Sequence, residues 1–290
     1  HLSGLEYAGY LRDVAAHFRL NVRENVEVRS VVRQVSAGGG FRIETTVGEY
    51  ESAYVICAVG EFGSPRTPNF RGASLGRHTA TVNSWRDMEG DEFVIVGGYE
   101  SGVDVAVNLV SLGKRVRVFD RRAQLGDETS DPSGCLSPYT QERLDAALRT
   151  GLLQIFTGVE VNRIQKSDKL YSLTDAEGHC WRTRSVPLLA TGFASDLRNL
   201  GDLFAYRDDG YPLLTEHDES SIVPGVFLAG PGVRHDQLVF CFIYKFRQRF
   251  PVVAARIGAG LGVSVEALEE YRRWGMYLDD LSCCGQECVC

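Results

Sequence analysis

Apolar residues along this chain follow two regimes, one at helical spacing and one in short runs bounded by glycine or proline. Leu5, Tyr7, Leu11, Val14, Ala15 and Phe18 carry the helical spacing, which predicts a helix over Leu5 to Leu20. Val26 to Val35, Phe41 to Thr46 and Tyr54 to Val59 then read as strands, with Gly38-Gly39-Gly40 as a turn. The succession returns in Val159 to Ile164, Leu170 to Thr174 and Cys180 to Thr183, followed by the strand Val186 to Ala190. Each meander closes on an apolar strand and a small-residue turn, Ala58-Val59-Gly60 in one half and Ala190-Thr191-Gly192 in the other. A pattern that recurs only twice predicts two related units, one inserted into the other, rather than a solenoid.

Phe93-Val94-Ile95-Val96 opens the inserted unit as a buried parallel strand, and Gly97-Gly98-Tyr99-Glu100-Ser101-Gly102 turns it into the helix that continues through Val103-Asp104-Val105-Ala106-Val107-Asn108-Leu109. A second strand, Val116-Arg117-Val118-Phe119-Asp120, ends in an acid 18 residues after Gly102. Strand, glycine turn, helix and acid in that order predict a dinucleotide-binding unit whose helix N-terminus faces a pyrophosphate. Gly97 permits the tight turn and Gly102 the close helix packing. Tyr99 stands where a middle glycine is expected, with Gly98 beside it to take over the close approach. A βαβ crossover needs glycine for geometry even without a ligand, so this turn alone decides nothing. Asp120 would accept from an NADH ribose, whereas Arg121 and Arg122 would bind the 2′-phosphate of NADPH, and position favours NADH.

With 290 residues, 44% of them hydrophobic, the chain can bury a sizeable core and fill two domains. The insert spans 84–195. Residues 1–83 and 196–262 form the outer domain, and 263–290 a helical extension with a cysteine-rich tail. The prolines of Gly63-Ser64-Pro65-Arg66-Thr67-Pro68 and the stretch Asp196 to Asp202 mark the crossovers. A formal net charge of -7 without a basic block argues against nucleic acid, and no apolar run reaches membrane-spanning length. Starting at His1 without an initiator methionine, the sequence reads as a fragment.

Cys57, Cys135, Cys180 and Cys241 are scattered in apolar or mixed contexts, as reduced thiols of a cytoplasmic protein would be. Cys283, Cys284, Cys288 and Cys290 crowd the end in Ser282-Cys283-Cys284-Gly285-Gln286-Glu287-Cys288-Val289-Cys290. Three readings of this tail stay open: ligands for a soft metal, a thiol relay to an external disulfide, or an exposed end that scavenges metal.

In combination these motifs resemble the flavin-containing monooxygenase and thioredoxin reductase-like superfamily of FAD- and NAD(P)-dependent oxidoreductases. Ala58-Val59-Gly60 with Ser64-Pro65, Pro68 and Gly72, then Val96 to Asp104, then Ala190-Thr191-Gly192-Phe193 carry the resemblance. It implies an α/β fold of two interleaved Rossmann-like dinucleotide-binding domains with three-stranded β-meanders. Gly97, Gly98, Tyr99, Glu100, Ser101, Gly102, Asp120, Arg121, Arg122, Ala190, Thr191 and Gly192 would then serve NAD(P)H, and Val28, Ala58, Gly60, Gly230 and Pro231 FAD. The stretch Ser221 to Gly230 is similar to the family segment that returns to the flavin. The family's FAD-phosphate turn would precede Leu5 and is not in this sequence, which implies weak FAD retention by this polypeptide. Pro231 stands where reductases of the group place an Asp, and no Cys-x-x-Cys lies in the insert.

The resemblance therefore implies a monooxygenase-like enzyme first, passing hydride from NAD(P)H to flavin and then activating oxygen. A flavoprotein reductase of a disulfide or thiophilic metal is the alternative, and a nucleotide- or metal-sensing protein without turnover a third. The substrate would be a small molecule, with a thiol, disulfide or soft metal met at the tail, and a homodimer left open. His235 and Asp236 are candidates for proton handling beside a flavin, against the commoner role of a hydrogen-bonded loop pair. Lys245, Arg247 and Arg249, interleaved with aromatics from Phe240 to Phe250, would line the outer domain or face the cofactor.

Overall fold

The computed structural model describes residues 3–34, 39–122, 133–195, 197 and 200–282. In chain order its elements are α1 (Gly4–His17), β1 (Val28–Arg33), β2 (Phe41–Thr45), β3 (Gly48–Ser52), β4 (Val55–Cys57), β5 (Arg77–His78), β6 (Glu92–Val96), α2 (Glu100–Ser111), β7 (Arg115–Asp120) and α3 (Pro138–Arg149). There follow β8 (Leu153–Thr157), β9 (Val161–Ser167), β10 (Leu170–Asp175), β11 (Cys180–Thr183), β12 (Leu188–Leu189), β13 (Val226–Leu228), β14 (Arg234–His235), β15 (Leu238–Val239), α4 (Ile243–Phe246), α5 (Phe250–Leu261) and α6 (Glu269–Arg273). The fold is mixed α/β, and the chain divides into two compact units, His1–Val55 with Arg198–Gly201, and Ile56–Leu197 with Asp202–Cys290.

In the smaller unit, Ser3 starts α1 with a capping box: its hydroxyl accepts from the Glu6 N–H while the Glu6 carboxylate accepts from the Ser3 N–H. The meander β1-β2-β3 is antiparallel, with a bulge between Val28 and Ser30. Phe41 is its deeply buried side chain.

The larger unit is built on a parallel sheet of order β5-β12-β6-β7-β8. Strand β6 shows why it forms: Phe93 and Ile95 face one side and pack with Val103, Leu109 and Leu144 of α2 and α3, while Val94 and Val96 face the other and pack with Ile164 and Leu173 of the meander β11-β10-β9. A strand covered on both faces is apolar throughout, as the run Phe93 to Val96 required. A short pair, β13-β4, is tied by the Ala229 N–H donating to the Cys57 carbonyl.

Three sequence expectations differ in detail. Phe240 to Ile257, a helix-like stretch in the sequence, is broken into α4, a 3₁₀ turn at Arg247–Arg249 and α5, because Pro251 sits in the first turn of α5 and has no N–H to continue a preceding helix. The segment Val265 to Leu278 is helical only as a 3₁₀ turn at Glu266–Leu268 and α6, and Gly275 then takes a left-handed conformation. Strand Val186 to Ala190 is paired only at β12. The sequence reading also lacked α3, whose start carries its signals plainly: Ser137 as N-cap and Pro138 in the first turn.

Candidate functional site

Strand β6 delivers the chain to Gly97, and the geometry there explains its glycines. A Cβ at Gly97 would overlap the Ala190 carbonyl, one at Gly98 would meet the Asp120 carboxylate, and one at Gly102 would overlap the Gly97 carbonyl. Gly97 is also left-handed, at φ 101°. Helix α2 then starts at Glu100 with Tyr99 as N-cap and no side chain capping it, so its N-terminal N–H groups and helix dipole are directed at whatever occupies the turn. Sequence-identified Gly97, Gly98, Tyr99, Glu100, Ser101, Gly102, Asp120, Arg122 and Ala190 thus gather at the ends of β6 and β7.

Tyr99 does not fill the place of the missing glycine with bulk. Its hydroxyl lies 2.7 Å from the Ser133 carbonyl and 2.9 Å from the Cys135 carbonyl, sharing its proton between them. Burial, reinforced by Cys135, Glu100 and Cys241, pushes this phenol up to about 12, with Arg122 pulling the other way, so it remains a neutral donor. Glu100 reaches across in the same direction, accepting from the Ser137 N–H at 2.6 Å and the Thr140 hydroxyl at 2.8 Å. One carboxylate in the first turn of α2 therefore also caps α3.

Asp120 is 3% exposed. Its carboxylate accepts from the Arg122 Nε at 3.2 Å and Nη2 at 2.6 Å, and from the Arg122 backbone N–H at 3.0 Å. The guanidinium lies 4.5 Å from the Tyr99 ring centroid, a cation–π contact, and the Arg122 side chain stays 38% exposed. Arg121 next to it is exposed.

A second group of predicted positions gathers around β4 and β13. Gly60 and Gly230 are left-handed, at φ 70° and 110°, and a Cβ at either would meet open space. Arg234, buried, donates to the Pro231 and Val233 carbonyls at 2.6 and 2.7 Å and stacks 4.1 Å from the Tyr211 ring. Burial raises the Glu61 carboxyl above its usual range, with the guanidinium groups of Arg234 and Arg66 opposing. Burial also pushes the Cys57 thiol up to about 11, which removes it as a thiolate nucleophile at neutral pH.

The segments 64–66 and 192–194 join by paired N–H donation, Arg66 to Gly192 and Ala194 to Ser64, each at 2.9 Å, and the Thr191 hydroxyl donates to the Arg66 carbonyl. His78 is part of this join. Its Nδ1 accepts from the Ala80 N–H, so Nε2 carries the proton and donates to the Gly192 carbonyl at 3.1 Å. Burial lowers its pKa, partly offset by that bond. No local sequence signal marks this role of His78, since Gly192 lies 114 positions away.

Val28 lies on β1 in the smaller unit. Cys283, Cys284, Cys288 and Cys290 lie outside the described residues. Among the described residues, no helix is long and apolar enough to cross a membrane.

The turn at α2 fits a dinucleotide: an uncapped 12-residue helix presents its N-terminal N–H groups there, and the Arg122 guanidinium stands beside it. Gly60 and Gly230, left-handed and open, fit a flat group brought against the backbone. The family model described as pyridine nucleotide-disulphide oxidoreductase matches residues 1–230. Bacilliredoxin reductase Bdr of Bacillus subtilis is 28% identical over 192 residues, 66% of this chain and 57% of that protein. A ferredoxin–NADP reductase of Lacticaseibacillus paracasei is 24% identical over 280 residues, 92% of this chain and 76% of its own length. Among solved structures, the thioredoxin reductase of T. acidophilum superposes with a TM-score of 0.71 at 20% identity, covering 90% of this chain and 81% of that one. That likeness establishes the fold.

Proposed function

The chain belongs to the pyridine nucleotide-disulphide oxidoreductase family, and on that premise we propose that it oxidises NADPH and passes the electrons through FAD to an external acceptor, a disulfide. FAD, when bound, supplies the two-electron store between donor and acceptor. Ala58, Gly60, Gly230 and Pro231 would hold its backbone-facing side. Gly97 to Gly102 would hold the dinucleotide, with the N-terminus of α2 on its pyrophosphate.

The observation that carries the choice of NADPH is the Asp120–Arg122 pair. A carboxylate buried and already accepting from a guanidinium and a backbone N–H offers little to a ribose hydroxyl. The same pair holds a partly exposed guanidinium over Tyr99, where it would meet a 2′-phosphate. This reverses the leaning to NADH that chain position alone supports. The test is anaerobic reduction of the FAD-loaded full-length protein. NADPH is expected to have the lower KM, and Arg122→Gln to raise it at least about 10-fold, the worth of one charge-assisted hydrogen bond, with little change for NADH. Equal KM values for the two nucleotides in the parent would overturn the assignment.

The reductase reading is supported by the names of the relatives above. A monooxygenase remains the second reading because Pro231 follows Gly230 where the reductases of the resembled superfamily carry an Asp. Flavin that recovers its colour only with a disulfide supports the first; recovery with oxygen and consumption of a soft nucleophile supports the second.

A further inference from the structure

The tip of the β10–β11 hairpin gathers three side chains that neither cofactor position uses. Asp175, Ala176, Glu177, Gly178 and His179 make the turn, with Gly178 left-handed at φ 89°. Asp175 is buried, while Glu177 and His179 are exposed. The Asp175 Oδ1 accepts from the backbone N–H groups of Glu177 and His179 at 3.0 and 2.9 Å, which fixes the carboxylate and leaves Oδ2 facing the imidazole. Nδ1 of His179 lies 2.9 Å from that Oδ2 and 3.6 Å from Oε2 of Glu177. All three donor atoms lie within 4.8 Å of one another.

Charge at the tip does not balance. An imidazolium offers one positive charge to two carboxylates, and a neutral ring offers none. Among the described residues no lysine or arginine pairs with Asp175, Glu177 or His179. The hydrogen bond to Asp175, and then its charge, raise the pKa of the His179 ring, the response of a nitrogen placed where a cation is favoured. A proton on Nδ1 serves the Asp175 oxygen but leaves Glu177 beyond hydrogen-bond reach. A metal ion would serve both, because two ligands of a tetrahedral zinc ion stand about 3.3 Å apart when each bond is about 2.0–2.1 Å, and the observed 2.9 and 3.6 Å bracket that spacing.

We propose that Asp175, Glu177 and His179 form a binding site for a divalent transition-metal ion of the zinc class, with water completing its coordination. One imidazole nitrogen and two carboxylate oxygens suit Zn2+ rather than Mg2+ or Ca2+, which take oxygen ligands. On binding, Nδ1 releases its proton to solvent and gives its lone pair to the metal, while Nε2 keeps a proton. The backbone N–H groups on Asp175 Oδ1 act as the outer support that holds a ligating carboxylate in place. The Trp181 ring, two residues beyond His179, lies 5.9 Å from the imidazole and 4.5 Å from Phe119 of β7. A metal at the tip would therefore clasp the ends of a hairpin that packs on the strand leading to Asp120.

The test titrates Zn2+, held at set free concentrations by a metal buffer, into the full-length protein labelled with 15N-histidine, and follows each ring in long-range 1H–15N correlation spectra. A ring-by-ring readout separates this site from zinc taken up by the thiols of the tail. The expected result is that His179 moves to a metal-bound Nδ1 with a protonated Nε2 at micromolar free Zn2+, while His17 and His217 stay where they are. Glu177→Gln changes an exposed side chain and leaves the hairpin backbone bonds intact, and it should raise the zinc midpoint at His179 at least about 10-fold, the lower end of what losing even an outer-shell partner costs. A His179 ring unmoved at millimolar free Zn2+ would overturn the proposal, and so would an equal response from His17 and His217. The same shift produced by Mg2+ at the same concentration would reduce the site to a diffuse acidic patch, and an unchanged midpoint in Glu177→Gln would remove the third ligand; either result overturns it.

Discussion

The glycines of the nucleotide-side turn and those of the flavin-side turn are required for different reasons. Gly97, Gly98 and Gly102 are each hemmed in by the protein's own atoms, so a side chain at any of them collides with the fold. Gly60 and Gly230 face open space, and only their left-handed backbone demands glycine from within. The most conspicuous motif is thus largely explained by packing, and it speaks to a ligand mainly through the uncapped helix behind it. The quieter pair has room left over, and room beside a left-handed glycine is what a bound group can use.

Substitution can break this comparison. Gly102→Ala is expected to have the largest effect, a destabilisation of about 3 kcal/mol or more from overpacking helix against strand, measured by urea unfolding of the apoprotein. Gly60→Ala or Gly230→Ala should cost the apoprotein only about 1–2 kcal/mol, the strain of an L-residue at positive φ, while FAD retention on a desalting column falls sharply. If Gly60→Ala unfolds the apoprotein as readily as Gly102→Ala does, the distinction fails. Replacing Asp120 by Asn sharpens it from the nucleotide side. Freed from its carboxylate, the Arg122 guanidinium should lose its fixed place over Tyr99, and the KM for NADPH is expected to rise about 5-fold, within the range of one charged hydrogen bond.

The smallest effect concerns the join between the two sides. The pKa of His78 is lowered in the folded state by burial, so the unfolded chain binds the proton more readily. Its contribution to stability is complete above the unfolded value, about 6.5, and is lost as pH falls from there through the lowered folded value. The unfolding midpoint in urea should therefore decline as pH drops below about 6.5, and His78→Gln should flatten that part of the curve. A slope unchanged by the substitution would assign the acid sensitivity elsewhere.

Much of this was legible in the sequence, for identifiable reasons. Phe93 to Val96 had to be a doubly covered strand because no residue in it tolerates water, and the glycine turn with Asp120 beyond it fixed a βαβ unit. Both meanders showed through their alternation. Helix α3 did not, because only Thr140, Leu144 and Ala147 of its residues are buried and so weak a stripe is easily passed over. What Asp120 does was not legible either. From chain position it is a ribose acceptor, and only the side-chain geometry reveals that its own neighbour two residues on has taken the carboxylate. The Asp218–His235–Arg249 cluster was half visible: His235 and Arg249 stood out separately, and Asp218, which joins them, lies 17 and 31 residues away from them along the chain.

Glu100 belongs to α2 by its backbone and to α3 by its side chain, and Tyr99 beside it grips the carbonyls of Ser133 and Cys135. The turn is therefore not a portable cassette. A chimera that transplants residues 97–102 into another scaffold would leave a carboxylate and a phenol without their partners, and a working graft has to carry the loop leading into α3 along with it.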